Sequence, residues 1–314
     1  MTTGVQIGTV EDEGAARPVL VLAGGVCFLD EAVPGAPPDV RGLIAGWDQW
    51  GDEVLAVAGS AASGRALLPA GQMSWLAPLT PQKVLCVGSN YHDHVAEMDG
   101  PAGVTSRPAP FPYSFLKPVT ALTGSGQPVA RPSYGHKLDW EIELAAVIGD
   151  PAAATGPDPL AAVFGYTILN DLSLRDFIPF PHVLGLDAVV SKGFDGAAPT
   201  GPWITLAADV PDPQALGLQL SVNGEVMQDS STAQMIFDVA ALISHYARVL
   251  SLEPGDLIAT GTPAGVGAAR PDGGRFLTPG DEITARIDGL GTLTTTIDPP
   301  AADEPLPTTI EVTP

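Results

Sequence analysis

Cysteine is nearly absent from this chain, with Cys27 and Cys86 the only two in 314 residues. They are too few and too far apart for a thiolate zinc site, and both sit in apolar runs, so free buried thiols are expected. Basic residues are also scarce: 14 Lys and Arg stand against 36 Asp and Glu, a net charge of −22. That balance argues against a nucleic-acid backbone or an anionic membrane surface as partner. No apolar run is long enough to span a bilayer, and the start, MTTGVQIGTVEDEG, has neither the basic nor the apolar region of a signal peptide. A cytoplasmic location is expected.

What the chain does have is hydrophobic content of 45%, enough for a full core. Short β-type runs near the start (VQIGTV, PVLVLAGG, VCFLD) lead into a helical stretch, LIAGWDQWGDEVLAVAGS, and together they read as a small α+β domain over 1–78. A Pro- and Gly-rich passage separates it from KVLCVGSNY. The runs ELAAVIG, VFGYTILN, PWITLA, LQLSVNGE, DLIATGT and EITARIDG then predict a β-rich main domain of mixed sheets over 79–298. The segment 299–314, Pro-rich and acidic, is expected to be extended or disordered.

In 138-LDWEIELAAVIGD-150, acids interrupt what otherwise reads as a buried strand. Strand alternation puts Asp139, Glu141 and Glu143 on one face and Trp140, Ile142 and Leu144 on the other. That acidic face is either solvated or turned to a hard divalent cation, because Mg²⁺, Mn²⁺ and Ca²⁺ take carboxylate oxygens. Asp171 ends the strand-like GYTIL, where Asn-Asp is also an ordinary turn signal. Lys192 is one of four lysines in the chain and lies in an apolar, glycine-rich stretch, although a surface lysine with a buried stem would look the same. His94 and Glu97 have the i,i+3 spacing that joins imidazole to carboxylate on a helix, as a general-base dyad or as a surface ion pair. The run GDLIATGTPAGVG could offer backbone N–H groups and Thr262 to an oxyanion.

Taken in order, KVLCVGSNYHDHVAEM, FLKP, LDWEIELAAVIG, VFGYTILNDLSLRD, SKGFDGAAPTGPW, VNGEVMQ, GDLIATGTPAGVG and LTPGDEITARIDGLG resemble the fumarylacetoacetate hydrolase superfamily over roughly residues 82–297. The resemblance implies an α+β, β-rich roll of mixed sheets with a smaller N-terminal domain, assembled as a homodimer. It implies Glu141, Glu143 and Asp171 as ligands of one Mg²⁺, with Mn²⁺ or Ca²⁺ as alternatives, and leaves Asp139 outside the set. It further implies His94 and Glu97 as the catalytic dyad, Lys192 as the residue meeting substrate oxygen near the metal, and Thr262 as the contact to a substrate carboxylate.

The reaction implied is cleavage of a C–C bond in a β-dicarbonyl or acylpyruvate-like catabolic intermediate through a metal-stabilised enolate. Decarboxylation or isomerisation of a 2-oxo acid and plain small-molecule binding are the alternatives. Two departures bear on substrate. Ile178 stands where the hydrolase-like members commonly carry a glutamine, and His92 where relatives often carry arginine. The segment after Asp176 supplies Phe177, Ile178, Phe180, Val183 and Leu184 but no cation. If this segment borders the site, with Ile178 against substrate, an apolar distal group is expected to be preferred over a second carboxylate.

Overall fold

The apolar run after Glu141 forms the strand Ile142–Ile148, in which every residue is buried. It pairs antiparallel with Val163–Asn170 on one side and Leu257–Ala259 on the other. A strand covered on both faces has no solvated positions, which is why it reads as nearly continuous aliphatic sequence. The computed structural model describes residues 5–59, 67–99, 110–178, 187–271 and 273–300. The proposed tail at 299–314 therefore falls almost wholly outside the described residues.

Around this strand lies an eleven-stranded mixed sheet. Its main path runs Gly25–Phe28, Ala15–Leu22, Gln6–Asp12, Ala198–Leu206, Val163–Asn170, Ile142–Ile148, Leu257–Ala259, Val84–Gly88 and Tyr113–Lys117. Val84–Gly88 runs parallel to Leu257–Ala259, whereas its other neighbour, Tyr113–Lys117, is antiparallel. A second sheet of five strands is centred on Gly217–Val222 and Glu282–Ile287. The fold is the β-rich α+β arrangement expected from the sequence.

Alternation along Ile142–Ile148 divides the interior in two. Ile142, Leu144, Ala146 and Ile148 pack with Leu220 and Ala285 of the five-stranded sheet and with the helix Val239–Val249. That helix buries Val239, Leu242, Ile243 and Tyr246, one stripe at helical spacing, and Asp238 caps it by accepting the Ala241 N–H. Ala145 and Val147 face the other way, against Ile7, Leu20, Leu43 and Ile44. The sheet thus runs across the sequence border at residue 78, with Gln6 paired to Thr205 and Ile7 to Ile204. The helical stretch of the N-terminal part is Val40–Ala45 followed by Trp47–Gly59, separated at Gly46. Both cysteines are buried and neither is in a disulfide. Among the described residues no helix is long and apolar enough to cross a membrane.

Two readings of the acidic strand need correction. It is not continuous: Leu138–Asp139 pairs with Ser173–Leu174, and the central strand begins only at Ile142. The Asp139 carboxylate accepts the Gly267 and Ala268 N–H groups, and the Trp140 indole donates to Gly265 O, so this stretch is tied to the 265–268 turn. Nor is the acidic face solvated, since Asp139, Glu141 and Glu143 are all buried. Replacing Leu144, which has no exposed surface, by alanine should lower stability by about 2–5 kcal/mol, through lost transfer energy and the cavity left behind. A urea titration checks this as a lower midpoint with an unchanged slope.

Candidate active site

Glu141, Glu143 and Asp171 converge where the two central strands meet. The Asp171 N–H donates to Glu141 O at 2.8 Å, and the Glu141 N–H donates to Asn170 Oδ1 at 2.9 Å, which locks the two strand ends together. One oxygen from each of the three carboxylates lies within 4.8 Å of the others, and all three residues are buried. Three like charges so confined repel strongly, and cations answer them. Lys192 Nζ donates to Glu141 Oε2 at 2.8 Å and to Asp171 Oδ2 at 2.6 Å. Arg175 donates to Asp139 Oδ2 at 2.8 Å and to Glu141 Oε1 at 2.5 Å.

These partners separate the carboxylates electrostatically. Burial alone would raise Glu141, but the Lys192 and Arg175 charges outweigh it and hold the carboxyl at about 2. Glu143 is pushed well above the usual carboxylate range by burial and then by the Asp171 and Glu141 charges. Its Oε2 accepts the Gly261 N–H at 2.9 Å. Among the described residues no cation lies in ion-pair contact with it. Burial would lower Lys192, yet Asp171 and Glu141 raise it, so the ammonium stays charged. A surface lysine is thereby ruled out at this position: the residue is only 8% exposed.

Lys117, which the sequence reading passed over, lies on the far side of Asp171. Its Nζ is 2.6 Å from Asp171 Oδ1 and donates to the backbone carbonyls of Lys192 and, at 3.0 Å, Ala197. One ammonium therefore fixes both a carboxylate of the cluster and the backbone that presents Lys192. Its signal was available in FLKP, a lysine between apolar residues in a chain with four lysines. Arg175, in the quoted LSLRD, went unassigned too.

The helix His92–Asp99 brings His94 and Glu97 together, with Nδ1 to Oε1 at 2.8 Å. The pair is not a surface contact, because His94 is buried and Glu97 half-buried. Glu97 Oε2 accepts the Gly265 N–H at 2.8 Å, and Asp93 accepts the Ser230 hydroxyl at 2.6 Å, so two side chains fasten the helix to the body. An electrostatic influence of His94 on Glu141 makes the imidazole a neighbour of the carboxylate cluster. Gly261, with φ of +91°, could not carry a side chain: a Cβ would lie 2.9 Å from Asn90 Cβ and 3.1 Å from Val87 O. Thr262 follows it, buried. His92 is exposed. Ile178 closes the short turn after Arg175, donating to its carbonyl, and Phe177 packs on Tyr134 with ring centroids 5.7 Å apart. Phe180, Val183 and Leu184 lie outside the described residues, so of the expected apolar distal segment only Phe177 and Ile178 are described.

Residues 83–298 match the fumarylacetoacetate (FAA) hydrolase C-terminal family. The chain belongs to the fumarylacetoacetate hydrolase superfamily. Members of this superfamily include hydrolases, isomerases and tautomerases. The chain is 40% identical over 230 residues to the Mycobacterium tuberculosis protein Rv2993c, covering 72% of this chain and 79% of that protein. It is 36% identical over 273 residues to the mitochondrial oxaloacetate tautomerase FAHD2A of Bos taurus, covering 86% and 83%. Among solved structures, fumarylacetoacetate hydrolase from Exiguobacterium antarcticum superposes with a TM-score of 0.77 at 31% identity, over 94% of this chain and 100% of that one. Maleylpyruvate hydrolase from Sphingobium, in complex with manganese(II) and pyruvate, gives 0.71 at 28% identity, over 94% and 99%.

The fumarylacetoacetate hydrolase-type cluster fits a hard divalent cation by its own chemistry. All donors are carboxylate oxygens, and a separation within 4.8 Å is bridged by metal–oxygen bonds of about 2.1–2.4 Å after small side-chain adjustments. Each carboxylate oxygen has two acceptor positions, so an oxygen already bonded to Lys192 can still serve as a ligand. Replacing Lys117 by methionine should destabilise the fold by about 3–5 kcal/mol, because it leaves Asp171 and two carbonyls facing an apolar side chain. Chemical denaturation of the purified variant reads that loss.

Proposed function

We propose that this protein enolises a 2-oxo acid in a divalent-metal site and interconverts its keto and enol forms, with 2-oxo acids as the substrate class. The observation that carries this reading is the buried His94 imidazole, paired with Glu97, whose second oxygen holds the Gly265 turn, beside a buried cluster of Glu141, Glu143 and Asp171. Glu141, Glu143 and Asp171 would hold one Mg²⁺ or Mn²⁺, which when bound would lend Lewis-acid charge to adjacent substrate oxygens and so favour the enolate. Lys192 would add a second positive charge at the same oxygens, since its carboxylate partners keep it protonated. A carboxylate only accepts, so Glu97 keeps the hydrogen on His94 Nδ1 and leaves Nε2 to take a proton from the substrate carbon. A proton moves from carbon to oxygen, nothing else is gained or lost, and substrate and product have equal mass.

Two further points support tautomerisation. The curated relatives that align over 86% of the chain include mitochondrial oxaloacetate tautomerases from Bos taurus and Homo sapiens. At 178 the chain offers isoleucine, which has no hydrogen bond to give a water, and tautomerisation needs no water. C–C hydrolysis of an acylpyruvate is the second reading, favoured by the same His94 Nε2, which could equally deprotonate a water, and by the similarity to maleylpyruvate hydrolase.

Mass spectrometry on Mn²⁺-loaded protein with oxaloacetate and with a panel of acylpyruvates separates the reactions. Faster loss of the enol's ultraviolet absorbance with no change of mass is expected. Gain of one water in total would establish hydrolysis in its place, and loss of CO₂ would establish decarboxylation. Glu143→Gln should lose stoichiometric Mn²⁺ binding in equilibrium dialysis. His94→Ala should keep the metal and lower kcat by about 10²–10⁴, the usual contribution of a general base. Metal loss in His94→Ala would instead make the imidazole a ligand.

A further inference from the structure

Gln228 lies behind the Thr262 turn with no exposed surface, and all its polar atoms are engaged. Its Oε1 accepts the N–H of Ile142 at 3.0 Å. Its Nε2 donates to Thr262 Oγ1 and to Pro263 O, each at 2.8 Å. The amide has one possible orientation: a backbone N–H only donates, so the atom facing Ile142 is the oxygen and the NH₂ group faces the turn. Thr262 Oγ1 must then accept, which leaves the hydroxyl its own hydrogen to give. Among the described residues that hydrogen has no acceptor. Thr262 is 3% exposed and directly follows Gly261, whose N–H holds Glu143.

We infer that Gln228 is a positioning residue that makes Thr262 an obligate donor and directs its hydroxyl hydrogen to the carboxylate of a bound 2-oxo acid. The inference rests on the 2-oxo-acid reading of the site. Gln228 works in two ways. It fills a lone pair of Thr262, and its other N–H occupies Pro263 O, a neutral acceptor of the same turn that would otherwise compete for the hydroxyl hydrogen. A hydroxyl presented as a donor makes a charge-assisted bond to an anion, whereas one presented through its lone pairs would repel it. The N–H that sets the amide belongs to the same strand that carries Glu143, so one strand fixes both a carboxylate of the cluster and the polarity of the hydroxyl.

The test titrates Mn²⁺-loaded protein calorimetrically with two probes, pyruvate and the neutral diketone acetylacetone. Gln228→Glu replaces the NH₂ with an oxygen of similar size, so Thr262 must donate to the new carboxylate and its hydrogen is withdrawn from the site. Gln228→Glu and Thr262→Val should each bind pyruvate about 10- to 100-fold more weakly than wild type, with acetylacetone affinity unchanged, while Thr262→Ser keeps both. The double variant Gln228→Glu/Thr262→Val should be no weaker than Thr262→Val alone. Simple repulsion by the new carboxylate would make the two losses add, and a merely structural role would weaken both probes and lower the melting temperature together; either result overturns the inference. Wild-type pyruvate affinity in Thr262→Val overturns it as well. Should Gln228→Glu not fold, Gln228→Met removes the donor and predicts the same selective loss. Wild-type protein that binds Mn²⁺ and acetylacetone but not pyruvate would instead defeat the 2-oxo-acid reading itself.

Discussion

Bringing three carboxylates together in a dry interior is the constraint around which the rest of this molecule is arranged. Isolated, each would protonate or unfold its surroundings, because burial penalises the charged form and every neighbour of like sign adds to the penalty. The chain answers with three of its few cations. Lys117 and Lys192 bracket Asp171, and Arg175 and Lys192 bracket Glu141, which leaves Glu143 as the member met only by a backbone N–H. Counting Asp139, four carboxylates face three cations. The arrangement is asymmetric by construction: one carboxylate is held ionised while another favours its neutral form until a further positive charge arrives.

Such a cluster needs a rigid frame, and the central strands supply it. Their burial on both faces fixes the register of Ile142–Ile148 against Val163–Asn170, and with it the positions of Glu143 and Asp171. The His94 helix and the Thr262 turn are fastened by side-chain hydrogen bonds. The helix carrying His94 is attached through Asp93 and Glu97, and the turn carrying Thr262 through Asn90, which donates to Thr260 O and accepts the Phe237 N–H. The candidate metal-binding side chains thus sit at the ends of strands buried on both faces, and the proposed proton-transfer group sits on a helix held by hydrogen bonds.

Much of this could be read from the residues in order. The acids in an apolar run, the i,i+3 pair on a short helix and an out-of-place lysine each marked residues that the fold brings into contact, because each is a local anomaly against a strong local pattern. What the sequence concealed depends on distant partners. Lys117 reaches carbonyls 75 and 80 residues further along, so FLKP marks it as out of place without showing what it holds. The break at Trp140 and Glu141 escaped a reading based on alternation, because alternation assumes a continuous strand, whereas Asp139 is drawn away by N–H groups 128 and 129 residues downstream. Gln228 looks like an ordinary hairpin residue until its three partners are known.

The pairing of Gln6–Asp12 with Ala198–Leu206 also has a consequence for synthesis on the ribosome. The side-chain contact between Gln6 and Thr205 spans 199 positions. At translation rates of about 5–20 residues per second, the first strands wait roughly 10–40 s for their neighbour to emerge. During that interval the hairpin formed by Gln6–Asp12 and Ala15–Leu22 can close at once and Ser74–Trp75 can pair with Val10 and Glu11, but the edge at Gln6 and Ile7 stays unpaired. The nascent chain therefore passes through a period when an open strand edge is accessible, which makes it a natural client for chaperones that shield emerging polypeptides.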